Sequence, residues 1–381
     1  MNQKERTEIR RHIAPNRCGI SSVYGCFVNG NGEILSYLDE SLGLMTEFEV
    51  ESYLGLFKKV LSGELGKNLL DLVFSTQQVV DSEEHRLLSG LWNSALSDSD
   101  LRKEFFQKAA QSLDMDGKNY LILLAHDAYD VPYRGKDDQT LDDASDGVYR
   151  YLLCAVCPVK DGKPALTYSP EQKTFHGSGI HQIVAPPTLG FLFPTFDDRA
   201  TNLYNALYYV RHEEEIYPDF IDAIFHTETP MSPAEQKETF QSILMDTLDE
   251  ACSYDVVQTV HEQLHDRIEA HKESKDPEPL DLSSHDLGNM LRESGVSAQT
   301  VQNFEDQCAA QFGPDAPLKP VNLIDKGFKV QTPQAKISVN PDSSYQIETR
   351  RINGHNYLLI PADDGVEING IPVTFPEESS N

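Results

Sequence analysis

The period of apolar positions changes several times along this chain, and each change predicts an element. Residues 2–13 read as a short helix that stops before Pro15, since the residue ahead of a proline is pushed out of the helical region. ISSVYGCFV and EILSYL flank Asn29-Gly30-Asn31-Gly32, which predicts a hairpin. Thr46 and Glu49 form a capping box that opens a helix with Leu54, Phe57 and Leu61 on one face. NLLDLVF is strand-like, and helices follow over 82–96 and 98–113. The middle of the chain is β-rich, with strands at NYLILLAHDAY (119–129), YRYLLCAVCPV (149–159), 180–185 and LGFLFPTF (189–196). An acidic exposed loop, 134–147, joins the first two. Asp197 or Asp198 then caps a helix over 200–210.

From 213 the spacing turns helical. Ser232-Pro233-Ala234-Glu235 joins a capping box to a proline at the first helical position, and Ser253 starts a long helix. Short helices over 284–293 and 297–312 meet at Ser294-Gly295, between linkers at 272–280 and 313–320. The final stretch switches to period two, with Asn353-Gly354 and Asn369-Gly370 as hairpin signals. The expected class is α+β: an N-terminal region (1–212) around a mainly antiparallel sheet, a helical segment (213–313) and a small β-rich C-terminal module (314–381).

Composition narrows the partners. Lys+Arg number 32 against 61 Asp+Glu, a formal charge of −29. Such a field repels nucleic-acid phosphates and anionic lipid, and suits solubility, cations or a basic protein partner. No apolar run approaches the roughly 20 residues of a membrane span, and the basic start lacks the apolar stretch of a signal peptide. The six cysteines show no disulfide framework, so a cytoplasmic chain with free thiols is expected.

LGFLFPTFDDRATNLYNALYY, the preceding YLLCAVCPVK, and the N-terminal GCFVNGNGEI, SLGL and LFKKVLSGELGKNL resemble a bacterial family, domain of unknown function 4317. The similarity extends through DPEPL and SGVS to the closing VEINGI. It implies a bacterial cytosolic protein and carries no assigned activity or catalytic residue.

The strongest chemical motif is His261-Glu262-Gln263-Leu264-His265, the H-E-x-x-H pattern of zinc hydrolases. That chemistry needs His261 and His265 on one helical face to hold zinc, and Glu262 as base for the metal-bound water. His271 falls where extended versions carry a third ligand, but Ile268 replaces the glycine that turns the chain there. His271 therefore points away while the helix stays straight, and an amphipathic helix with histidines bordering its apolar stripe is the competing reading.

Cys154 and Cys157 have metal-knuckle spacing but fall on a strand, where residues three apart face opposite sides. Asp197, Asp198 and Arg199 follow an apolar strand. They suit a cation site or a general base with an orienting arginine, against plain helix capping. His126, Asp127 and Asp130 likewise end a strand and would meet them if the strands share a sheet. His176-Gly177-Ser178-Gly179 lacks the nucleophile elbow, and residues 63–68 only imitate a phosphate loop. Residues 284–312 imitate a helix-turn-helix with one arginine and no lysine, too little to anchor phosphates. No catalytic constellation is complete, so the favoured expectation is an interaction or regulatory protein, with a zinc hydrolase or cation-dependent chemistry at Asp197/Asp198 as alternatives.

Overall fold

The computed structural model describes residues 1–134, 140–178, 181–314, 316–362, 365–368 and 370–373. They form two compact units, Met1–Gln236 with Pro277–Pro279, and Lys237–Asp276 with Leu280–Asn381.

In the first unit, α1 (Gln3–His12) precedes the hairpin β1 (Ser22–Val28) and β2 (Ile34–Ser41). Next come α2 (Glu47–Val60), β3 (Leu69–Val73), α3 (Thr76–Asp81), α4 (Glu83–Asn93) and α5 (Ser99–Gln111). Then follow the long strands β4 (Tyr120–Arg134) and β5 (Thr140–Asp161), with β6 (Ala165–Ser169), β7 (Thr174–Ser178) and β8 (Gln182–Val184). The set closes with β9 (Leu189–Phe193), β10 (Thr195–Asp197), β11 (Ala200–Asn202), β12 (Asn205–Val210) and α6 (Pro218–Phe225).

The main sheet runs β2-β1-β4-β5-β9-β12-β3, with β8 also on β5, and every pairing is antiparallel. Its central strands are apolar on both faces because helices cover both. Ile122 and Leu124 of β4 face a core with Leu88 of α4, Phe105 of α5 and Phe220 of α6. Leu121, Leu123 and Ala125 face the other core, with Ile9 of α1 and Phe57 and Val60 of α2. Each large side chain buried this way contributes on the order of 2 kcal/mol. Gly190 of β9 sets how closely α2 approaches: a Cβ there would lie 2.8 Å from a Val60 methyl and closer still to the Cys154 carbonyl.

Several expectations change. Residues 200–210 are not a helix. Leu203, Ala206, Leu207 and Val210 have helical spacing, but β12 lies between β9 and β3 with both faces buried, and sheet pairing overrides a short local period. Asp197 and Asp198 therefore cap nothing. β5 begins at Thr140 and pairs Arg134 with Thr140, so strand replaces much of the expected acidic loop; residues 135–139 lie outside the described residues, as does Ile180 of the expected strand 180–185.

The second unit contains most of α7 (Pro233–Leu248), then α8 (Tyr254–Ser274), α9 (Ser284–Glu293), α10 (Ala298–Phe312) and α11 (Pro320–Leu323). The expected linker at 272–280 begins later than read, since α8 runs to Ser274, and Leu318 in the second expected linker is buried and exchanges hydrogen bonds of 2.9 and 2.8 Å with Leu282. Phe240, Val260, Leu264, Leu291, Val301 and Phe304 lie in its core. Three strand pairs follow: β13 (Phe328–Gln331) with β14 (Lys336–Val339), β15 (Glu348–Ile352) with β16 (His355–Leu359), and β17 (Val366–Ile368) with β18 (Ile371–Val373).

Candidate functional site

The fold brings Asp127 and the 197–199 segment to the same covering helix, α1. Asp127 is 1% exposed. Its Oδ1 accepts the backbone N–H groups of Gly19 and Ala128, each at 2.8 Å. Its Oδ2 accepts the Tyr151 hydroxyl at 2.8 Å and lies 3.2 Å from His12 Nε2. Burial, then the adjacent carboxylate, holds the Tyr151 hydroxyl well above the usual phenol range, so it stays a donor. A carboxylate has about four acceptor positions; hydrogen bonds inside the protein fill three of those of Asp127, and His12 lies beside it.

Asp198 and Arg199 form the two-residue turn of the β10–β11 hairpin, both in the left-handed region with φ of 48° and 60°. That conformation costs roughly 1 kcal/mol or more per non-glycine residue. Docking to α1 offsets it. The Arg199 N–H donates to Glu5 at 3.2 Å, and its guanidinium reaches Glu8 at 3.2 Å and the Pro132 carbonyl at 2.7 Å. Tyr129 donates to the same Glu8 at 2.7 Å. Asp197 pairs with the Met1 amine and accepts from Thr195 at 2.8 Å and Asn202 at 2.6 Å. Burial opposes its ionisation, but these partners together hold the carboxyl below the usual range. Asp198 is exposed at the turn tip, and Asp130 is exposed on β4.

His126 faces the opposite side of the sheet from Asp127, as alternation along a strand requires; burial lowers its pKa. Cys154 and Cys157 also face opposite cores. Burial pushes the Cys157 thiol up to about 12 and Cys154 well above its usual value, so neither is a ready thiolate.

On α8, His261 and His265 share a face one turn apart, with His261 buried and His265 partly buried. His261 Nε2 lies 3.2 Å from the Asp325 carbonyl oxygen. Glu262 Oε1 accepts the Ser344 hydroxyl at 2.6 Å and the Gln258 amide at 2.9 Å. Among the described residues, no three His, Cys, Asp or Glu side chains are grouped to hold a metal ion. α9 and α10 pack as a hairpin in which Arg292, the arginine of that segment, pairs with Glu305 at 2.8 Å.

A half-open cavity of about 180 Å³ lies beside His261, entirely within the second unit. α7 lends Phe240, Leu244 and Leu248, and α8 lends Val256 and Val260. The segment entering β13 closes it with Phe328 and Asp325. The apolar stripe along α8 was the legible part of this site. Asp325 and Phe328 come from more than sixty residues later, with no local signal. The α1 groups that meet Arg199 and Asp127 did leave a trace, since Glu5 and Glu8, which hold Arg199, and His12, which lies against Asp127, are spaced along one face of that helix.

No helix among the described residues is long and apolar enough to cross a membrane. Neither the curated proteins nor the solved structures contain a match to this chain. The family model for domain of unknown function 4317 matches residues 1–371, and the chain belongs to that family, to which no function is assigned.

Proposed function

We propose that this chain is a non-catalytic binding protein, an interaction or regulatory component of the cytoplasm, whose helical unit takes a small apolar group into the cavity between α7 and α8. The cavity itself carries the reading: an apolar recess with a few polar groups is the usual form of a ligand site. The candidate acids support it from the other side. Asp127 and Asp197 are engaged by neighbours, and Glu262 is held by Ser344 and Gln258. Six free cysteines, four of them buried, suit a reducing compartment.

Methyl NMR of the full chain titrated with toluene tests the reading. Shifts are expected at Leu244, Leu248, Val256 and Val260, and Leu244→Trp, which fills the cavity from its rim, should abolish them. An unperturbed spectrum would overturn the proposal. Elemental analysis addresses the competing chemistry: one equivalent of zinc, lost in His261→Ala, would replace it with a metallohydrolase.

A further inference from the structure

The two edges of the main sheet differ. β3 is five residues long, and the turn before it folds back so that the Gly66 N–H donates to the Leu69 carbonyl at 2.7 Å. β2 is eight residues long and pairs with β1 alone among the described residues. Alternate residues of an edge strand turn their N–H and C=O groups outward, which makes the edge a template for a further strand. Proteins guard such edges with very short strands, proline or charged side chains, lysine above all. In β2 the stretch Ile34–Leu38 has no charge and no proline. Leu35 and Tyr37 are 57% and 49% exposed there.

The surroundings narrow what would pair with it. Leu35, Tyr37 and Asp39 alternate onto one face. The Tyr37 ring lies 6.2 Å from that of Phe106, and Asp39 lies 3.6 Å from Arg102, so this is the face of α5. Leu38 and Glu40 turn to the opposite face, which α2 covers. Glu40 and Glu49 both act, after burial, to raise the Tyr53 pKa, so the first turns of α2 lie near the end of β2. Between Arg17 and Lys58 the chain has no Lys, Arg or His and six carboxylates: Glu33, Asp39, Glu40, Glu47, Glu49 and Glu51. All but Glu40 are exposed. A second copy on this edge would set two such stretches against each other in chains of formal charge −29, which disfavours self-pairing.

We propose that β2 accepts an extended segment of a partner protein as an added strand, and that this segment alternates apolar and basic residues. Its backbone would pair with the outward groups of β2. Its apolar side chains would lie beside Leu35 and Tyr37, and its basic ones on the other face, toward Glu40 and the start of α2.

The test adds two synthetic octapeptides to the full chain, one of alternating Lys and Val and one of alternating Glu and Val. Amide hydrogen exchange is followed by NMR. The Lys-Val peptide should slow exchange at every second residue of β2, and less as salt is raised. The Glu-Val peptide should leave β2 unchanged. Leu35→Lys, at an exposed position, places the usual edge guard there and should weaken the Lys-Val peptide about fivefold, the worth of one cross-strand contact, with Tm unchanged. Unaltered exchange over β2 with the Lys-Val peptide would overturn the proposal. Equal protection by both peptides would overturn the basic character of the partner. A dimer in sedimentation whose β2 amides are protected without peptide would put a second copy in the partner's place.

Discussion

Asp127 and His261 are both buried polar side chains, one in each unit, and they are used in opposite ways. Asp127 receives two backbone N–H groups and a tyrosine hydroxyl, with His12 Nε2 3.2 Å away, and so fastens the Gly19 loop to the sheet beside α1. His261 has one nitrogen engaged and one bare, beside a cavity. A filled polar group is a brace. A half-filled one fastens only one neighbour, here the Asp325 backbone. The H-E-x-x-H motif lies on a helix that lines the cavity, while Asp127 and Asp197, which looked free at strand ends, are engaged by neighbours.

The sharpest way to break this comparison is to remove the brace. Asp127→Ala strands the Gly19 and Ala128 N–H groups and the Tyr151 hydroxyl, and should cost about 3 kcal/mol or more. Urea unfolding followed by tryptophan fluorescence reads it, because Trp92 lies in the same unit. A loss under about 1 kcal/mol would mean that the network is not structural.

Asp198→Gly should act in the other direction. Relieving a φ of 48° at an exposed turn position is expected to stabilise the first unit by up to about 1 kcal/mol. If Asp198 served a cation, the variant would instead abolish any divalent-ion rise in Tm.

His261→Leu sharpens the contrast with Asp127. It removes an unfilled acceptor along with one hydrogen bond, so native-state hydrogen exchange along α8 should change by less than about 1 kcal/mol. A loss as large as that of Asp127→Ala would make His261 a second brace.

The smallest effect is with pH. Burial lowers the folded-state pKa of His261 below its ordinary 6.5, so below that value the unfolded chain binds the proton more readily. This contribution is complete above about pH 6.5 and is lost as pH falls through the folded pKa. His265, Glu262 and Asp325 surround the ring and modulate the shift. Acidification from pH 7 should speed exchange along α8 in the natural chain, and less in His261→Leu.

Much of the fold could be read because its signals are local. The capping boxes at Thr46 and Ser232 and the hairpin at Asn29–Gly32 are made by neighbours in sequence, and the structure places elements there. Residues 200–210 misled because a six-residue buried strand and a short helix share the same apolar spacing, and only the strands on either side decide between them. The candidate residues fared likewise. Their types and their helix or strand could be read, but Asp127 and Asp197 looked available because their donors, Gly19, Tyr151 and the Met1 amine, lie far away in sequence.

By itself, then, the sequence determined the class, an α+β chain of strongly acidic charge, the family, and the helix that carries His261 and Glu262. Those follow from periodicity, composition and long matching runs, none of which depends on how distant segments meet. The tertiary structure alone decided which polar groups are filled. Whether a buried lone pair finds a donor depends on residues such as Asp325 and Tyr151 arriving from elsewhere in the chain, and the difference between a brace and a binding site is made at that step.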